Sequence, residues 1–153
     1  MAYLGIGTDA HVASLFPGHP DSAATGVWTT AVDDSPKPPP LRVSFTMEVI
    51  RSADQVWLVA SGESKAEALA AAAEVYPEHV DAAVEDLEGE PLDVPAGWAT
   101  GRSATRWFLD EAAALALGAE GLRRAVDRWV GDPGTGLPVA LVAAGLALAP
   151  VVP

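Results

Sequence analysis

The chain contains no cysteine, which excludes disulfides and thiolate metal sites and is compatible with a reducing, cytoplasmic location. Cations are scarce. Nine Lys and Arg stand against 21 Asp and Glu, a formal net charge of −12. Such a balance favours solubility and argues against non-specific binding to nucleic acid or to an anionic membrane surface. Any anionic ligand must therefore meet a local cationic site, for which few residues qualify. The N-terminus, Met-Ala-Tyr-Leu-Gly, lacks the charged segment and long apolar run of a signal peptide. The apolar stretch 138–153 is shorter than the roughly 20 residues of a spanning helix. Gly145 and Pro150 also interrupt it, so no membrane span is expected. Metal-ligand clusters, a full phosphate-binding loop and a complete dinucleotide fingerprint are all missing.

What is present fits one soluble globular domain: 153 residues, 50% of them hydrophobic and 20% charged. Residues 2–6 read as a short buried strand ending in a glycine-containing turn, followed by a short helix over 11–15 that Pro17-Gly18 stops. A β-branched and aromatic strand is expected over 27–32, a proline loop over 33–40 and an alternating strand over 41–46. A short helix over 47–53 precedes the continuous apolar run 55–61, the pattern of a strand covered on both faces. Gly62 then turns the chain into an Ala-rich helix over 63–75 with Ala66, Leu69, Ala70 and Ala73 on one side. Residues 76–96 are acidic and read as a surface loop or weak helix. A further strand spans 105–109, and Asp110 caps a helix running to about Leu117. Beyond Gly118, Leu122, Ala125, Val126, Trp129 and Val130 outline another amphipathic helix. Alternating strands and helices predict an α/β fold, layered around a largely parallel sheet.

Asp9 and His11 fall just past the first strand, where ligands bind in open α/β sheets. Histidine is the natural general base near neutral pH, and a neighbouring carboxylate can orient its ring. Gly5 and Gly7 allow the backbone to approach a ligand closely. A glycine-rich turn with one Asp and one His is common, however, and spacing alone leaves a structural role equally open. Lys65 stands at the start of the helix after the buried strand, where free backbone N–H groups and the helix dipole attract phosphate. Taken alone, a lysine at such a position is more often a solvated helix lysine. Arg42 can contact an anion or simply brace the proline loop. His19 and His79 read as ordinary loop histidines, and most of the five tryptophans as core.

Four segments taken together carry a resemblance. They are Gly5-Ile6-Gly7-Thr8-Asp9-Ala10-His11 with Ala13-Ser14-Leu15-Phe16-Pro17-Gly18, then Asp34-Ser35-Pro36-Lys37-Pro38-Pro39-Pro40-Leu41-Arg42-Val43-Ser44-Phe45-Thr46. Next come Val56-Trp57-Leu58-Val59-Ala60-Ser61-Gly62-Glu63-Ser64-Lys65-Ala66-Glu67-Ala68 and Thr105-Arg106-Trp107-Phe108-Leu109-Asp110-Glu111-Ala112-Ala113. In this order they resemble the 6-phosphogluconolactonase family, which shares its fold with glucosamine-6-phosphate deaminases. The resemblance implies a partial Rossmann-like fold, the C-terminal half of such an enzyme. It also implies hydrolysis of 6-phospho-D-glucono-1,5-lactone without a cofactor. His11 would be the general base, Asp9 its orienting partner, and Lys65 the phosphate contact, with Arg42, Gly5 and Gly7 also on the substrate side. A deaminase of the superfamily usually follows the Asp-x-His turn with an Asn-Glu-Pro-type segment. Here Ser14-Leu15-Phe16-Pro17 stands instead and offers no carboxylate.

Three departures accompany the resemblance. Ala10 replaces a glycine between Asp9 and His11, which is costly if that position needs a positive φ. The family's N-terminal half, with a first glycine-rich phosphate loop and an Asp-Glu-Arg motif, is expected to be absent. Residues 118–153 match nothing expected, so 1–117 is read as the family unit and 118–153 as an extension. Two readings follow: a lactonase, completed by another chain, or a silent remnant that self-associates through an unpaired sheet edge.

Overall fold

The computed structural model describes residues 1–79 and 90–117. A parallel sheet is formed by β1 (Ala2–Gly5), β4 (Gln55–Ala60) and β5 (Ala104–Leu109), in the order β1-β4-β5. Between β1 and β4 the chain builds a separate antiparallel ribbon, β2 (Thr29–Val32) with β3 (Arg42–Phe45), and helix α1 (Met47–Ser52). Helices α2 (Ala66–His79) and α3 (Pro95–Trp98) lie between β4 and β5, and α4 (Glu111–Ala114) follows β5. This is the α/β architecture with a parallel sheet and flanking helices that the sequence predicts. Among the described residues no helix is long and apolar enough to cross a membrane. The amphipathic helix expected around 122–130 lies outside them.

Local chemistry accounts for the helix starts. Thr46 caps α1, its Oγ1 accepting from Val49 N at 3.4 Å, and Asp110 caps α4 by accepting from Ala113 N at 2.8 Å. Alanine carries α2, in which Ala68, Leu69 and Ala72 are buried. They meet Val56, Leu58, Trp107 and Leu109, the inward members of β4 and β5, in one continuous core.

Several expectations are corrected. Residues 11–15 form no helix. Val12 and Leu15 are joined by an isolated bridge, and Ala10 and Ala13 have φ of 66° and 51°. The apolar spacing of Val12, Leu15 and Phe16 comes instead from a tight turn tucked into the core, where all three are buried. β1 is not a buried strand: it pairs only with β4 among the described residues, and Tyr3 is 65% exposed. In β4, Val56, Leu58 and Ala60 are buried but Trp57 and Val59 only half so. The apolar run therefore faces the core on one side, and Tyr3, Trp57 and Phe108 line the other as a row of tilted ring contacts. Helix α2 runs on to His79, past the expected end at Val75, and α3 begins at Pro95, whose fixed φ suits a first helical turn. Of the tryptophans described, only Trp107 is buried, and Trp28 is 83% exposed. Trp28 immediately precedes an edge ribbon whose outward face also carries exposed Val43 and Phe45.

Candidate active site

The turn that leaves β1 closes on itself. Gly7 N donates to the His11 carbonyl at 2.8 Å, and Ala10 N to the Gly7 carbonyl at 3.1 Å. This loop of backbone forces Ala10 into the left-handed region, so the position does demand the conformation that glycine adopts most easily. Ala10 is held there from outside too, its carbonyl accepting from Ala96 N at the start of α3 at 2.9 Å. The side chains of Asp9 and His11 are thereby brought to the same side, with His11 Nδ1 2.6 Å from Asp9 Oδ1. A Cβ on Gly7 would overlap both the imidazole and the Asp9 carboxylate. Glycine is required here by crowding within the turn. Gly5 differs: a Cβ there would meet no protein atom.

His11 is 17% exposed, and its ring packs on Phe16 at 4.6 Å between centroids. On the far side of Asp9 stands Lys37, whose Nζ is 2.8 Å from the same Oδ1 and donates to Thr8 Oγ1 at 3.4 Å. Partial burial by itself would raise the Asp9 carboxyl. Hydrogen bonds from Lys37 and His11, with the imidazole charge, outweigh it and lower the group from 3.8 to about 2. Asp9 is thus ionised and can only accept, so the 2.6 Å contact is a hydrogen bond donated by His11 Nδ1.

The turn opens on a cleft of about 680 Å³ beside the carboxyl end of β1. Gly5, Gly7, Thr8, His11, Lys37 and Lys65 line it, with Tyr3 and Phe45 as part of an apolar wall. Lys37 and Lys65 are the only two lysines in the chain. Both face one cleft in a protein of net charge −12; Lys37 is paired there with Asp9, which leaves Lys65 as the charge that an anionic ligand would meet. Lys65 arrives from the other direction. Gly62, at φ 91°, turns the chain out of β4 into a 3-10 turn, Glu63–Lys65, that leads into α2. Asp110 holds that turn, accepting from Ser61 Oγ at 2.5 Å and from Gly62 N at 3.0 Å. These bonds, Ser61 first, hold its carboxyl below the ordinary value.

Of the residues singled out from the sequence, His11, Asp9, Gly5, Gly7 and Lys65 come together here. Arg42 does not line the cleft. Its guanidinium donates to the carbonyls of Lys37, Pro38 and Pro39 at 2.9–3.1 Å and lies 5.3 Å from the Phe16 ring centroid. These bonds brace the proline loop and, within it, the backbone carrying Lys37. At the start of the same loop, His19 Nε2 lies 2.7 Å from Asp34 Oδ1. Lys37 itself is the residue that sequence reading passed over. The available signal was the lysine count, since a chain with two lysines and one at a helix start leaves the other conspicuous.

The family model described as glucosamine-6-phosphate isomerases/6-phosphogluconolactonase matches residues 1–107. A 6-phosphogluconolactonase of Streptomyces coelicolor is 46% identical over 115 residues, covering 74% of this chain and 39% of that protein. That of Mycobacterium tuberculosis is 42% identical over 115 residues, with 74% and 41% covered. The crystal structure of 6-phosphogluconolactonase from Thermotoga maritima superposes with a TM-score of 0.54 at 25% identity, covering 71% of this chain and 41% of that one. The chain thus spans about two fifths of the length of the curated relatives it matches. Over the turn that holds Asp9 and His11, the proline loop that holds Lys37 and the strands between them, this chain belongs to the glucosamine-6-phosphate isomerase/6-phosphogluconolactonase family.

Proposed function

We propose that the cleft binds 6-phospho-D-glucono-1,5-lactone and hydrolyses it to 6-phosphogluconate, the second step of the oxidative pentose phosphate pathway. The observation that carries this reading is the ionised Asp9 bonded to His11 at the mouth of a cleft holding both lysines. His11 Nε2 accepts a proton from water as the water oxygen bonds to the lactone carbonyl carbon. The tetrahedral oxyanion then collapses, the ring C–O bond breaks, and the proton passes from His11 to the departing ring oxygen. Asp9 keeps the imidazole in the required tautomer and stabilises its transient charge. Lys65, at the turn that leads into α2, offers its ammonium to the substrate phosphate, and Gly5, without a side chain, leaves room for close approach. The relatives' names support this substrate, and the buried Leu15 and Phe16 after the turn give no carboxylate for a deaminase.

The test is hydrolysis of the lactone by the 153-residue chain, measured above the spontaneous rate. Replacing His11 by Ala is expected to lower kcat by about 10²–10⁴, and replacing Lys65 by Met to raise KM. Equal rates for the chain and its His11→Ala variant would identify a silent remnant, and ammonia release from glucosamine 6-phosphate a deaminase. The family match ends at residue 107, which supports reading 1–117 as the family unit and 118–153 as an extension. The outer edge of β1 is unpaired among the described residues, and we propose it as the line along which a second polypeptide continues the sheet. Light scattering on the chain alone and after mixing with the separately produced N-terminal portion of a relative tests this. Mass that stays monomeric in both would overturn it.

A further inference from the structure

The mechanism above gives Lys37 no step, although its ammonium stands 2.8 Å from the carboxylate that orients His11. Asp9 Oδ1 is shared: His11 Nδ1 approaches it at 2.6 Å and Lys37 Nζ at 2.8 Å. A carboxylate alone beside an imidazole favours the imidazolium, which is the wrong state for a general base. A fixed cation on the same oxygen reverses part of that pull. It neutralises Asp9 as seen from His11 and also repels a second positive charge on the ring.

We propose that Lys37 is a positioning residue that acts through Asp9 to keep His11 in its neutral, base-competent form. Its catalytic consequence rests on the hydrolase reading above, whereas the coupling between the three side chains does not. The charged groups around His11 are few. Asp9 lies on its own turn, Lys37 comes from the proline loop, Arg42 from β3 stands beyond the Phe16 ring, and Lys65 lines the same cleft from the start of α2. Helix α3, which fastens the turn through Ala96, carries no titratable side chain. Lys37 is therefore the one cation bonded directly to the His–Asp pair among the described residues. The braces from Arg42 to the carbonyls of Lys37, Pro38 and Pro39 fix the backbone from which it reaches.

The experiment is an NMR titration of the imidazole in the full chain and in Lys37→Met, the His11 signal being identified by its loss in His11→Ala. Removing the ammonium is expected to raise the His11 pKa by about half to one unit. The acid limb of the kcat/KM profile should move up by the same amount. Lys37→Arg should restore both. Lys37→Gln, closer in polarity, gives a second reading should the Met variant not fold. An unchanged or lowered His11 titration in a folded variant overturns the proposal, as does a raised KM with an unmoved profile, the mark of a lysine that only holds substrate. The two readings fail separately. A shifted titration without lactone hydrolysis would sink the hydrolase and leave the coupling standing, while hydrolysis with identical titrations would do the reverse.

Discussion

The turn after β1 and the turn after β4 deliver side chains to the same cleft, but they are held in different ways. After β1 the backbone folds tightly on itself, with Ala10 and Ala13 at positive φ, and the load is carried by side chains: His11 on Asp9, Lys37 on Asp9, the His11 ring on Phe16. After β4 the positive φ falls on Gly62, and a single carboxylate, Asp110, holds the turn from the neighbouring strand's end. In the first turn, non-glycine residues are kept in a conformation that costs each about 1–2 kcal/mol, because surrounding contacts over-determine it. The second avoids that cost by composition. Strain is thus concentrated where the imidazole and carboxylate must meet, as is usual for sites whose geometry matters more than their stability.

The largest effect expected from breaking this contrast is at Gly7. Gly7→Ala places a methyl where the His11 ring and the Asp9 carboxylate already are. It should cost about 1–3 kcal/mol in urea unfolding and abolish the His11–Asp9 coupling seen in the NMR titration. Survival of both would mean that the turn has a second way of packing. Next come two substitutions of opposite sign. Gly62→Ala puts a side chain at φ 91° and ψ 151°, a region essentially reserved for glycine, and should destabilise by about 1–3 kcal/mol. Ala10→Gly relieves the first turn, and since the relief exceeds the entropy that glycine adds to the unfolded chain, a gain of about 0.5–1 kcal/mol is expected. If Ala10→Gly lowers stability, the burial of its methyl outweighs the backbone relief, and the contrast between the turns disappears.

Acid provides the mildest probe. Asp9 is lowered from 3.8 to about 2 and Asp110 is lowered as well. Carboxyls whose folded pKa lies below the unfolded value stabilise the fold fully above the unfolded value, near pH 4, and lose that contribution as pH falls through the folded value. For Asp9 the window is about pH 4 to pH 2. Asp9→Asn should flatten part of the stability loss across that window in urea titrations, and a curve of unchanged steepness would show that the pair contributes nothing to folding.

Local pattern decided much of this protein. Short β-rich runs, the Ala-rich helix and the cap at Asp110 all follow from interactions within a few residues, so sequence alone determined them. Where distant segments had to meet, it could not. Val12, Leu15 and Phe16 have helical spacing but are buried by a turn whose left-handed residues depend on α3 and the sheet around it. β4 has the composition of a strand covered twice, yet which face meets the core depends on the helices packed there. Arg42 became a brace and Lys37 a member of the site because the proline loop folds back against the β1 turn. An ion pair between remote residues is set by how the chain is packed, and only the tertiary structure brings the second lysine to Asp9.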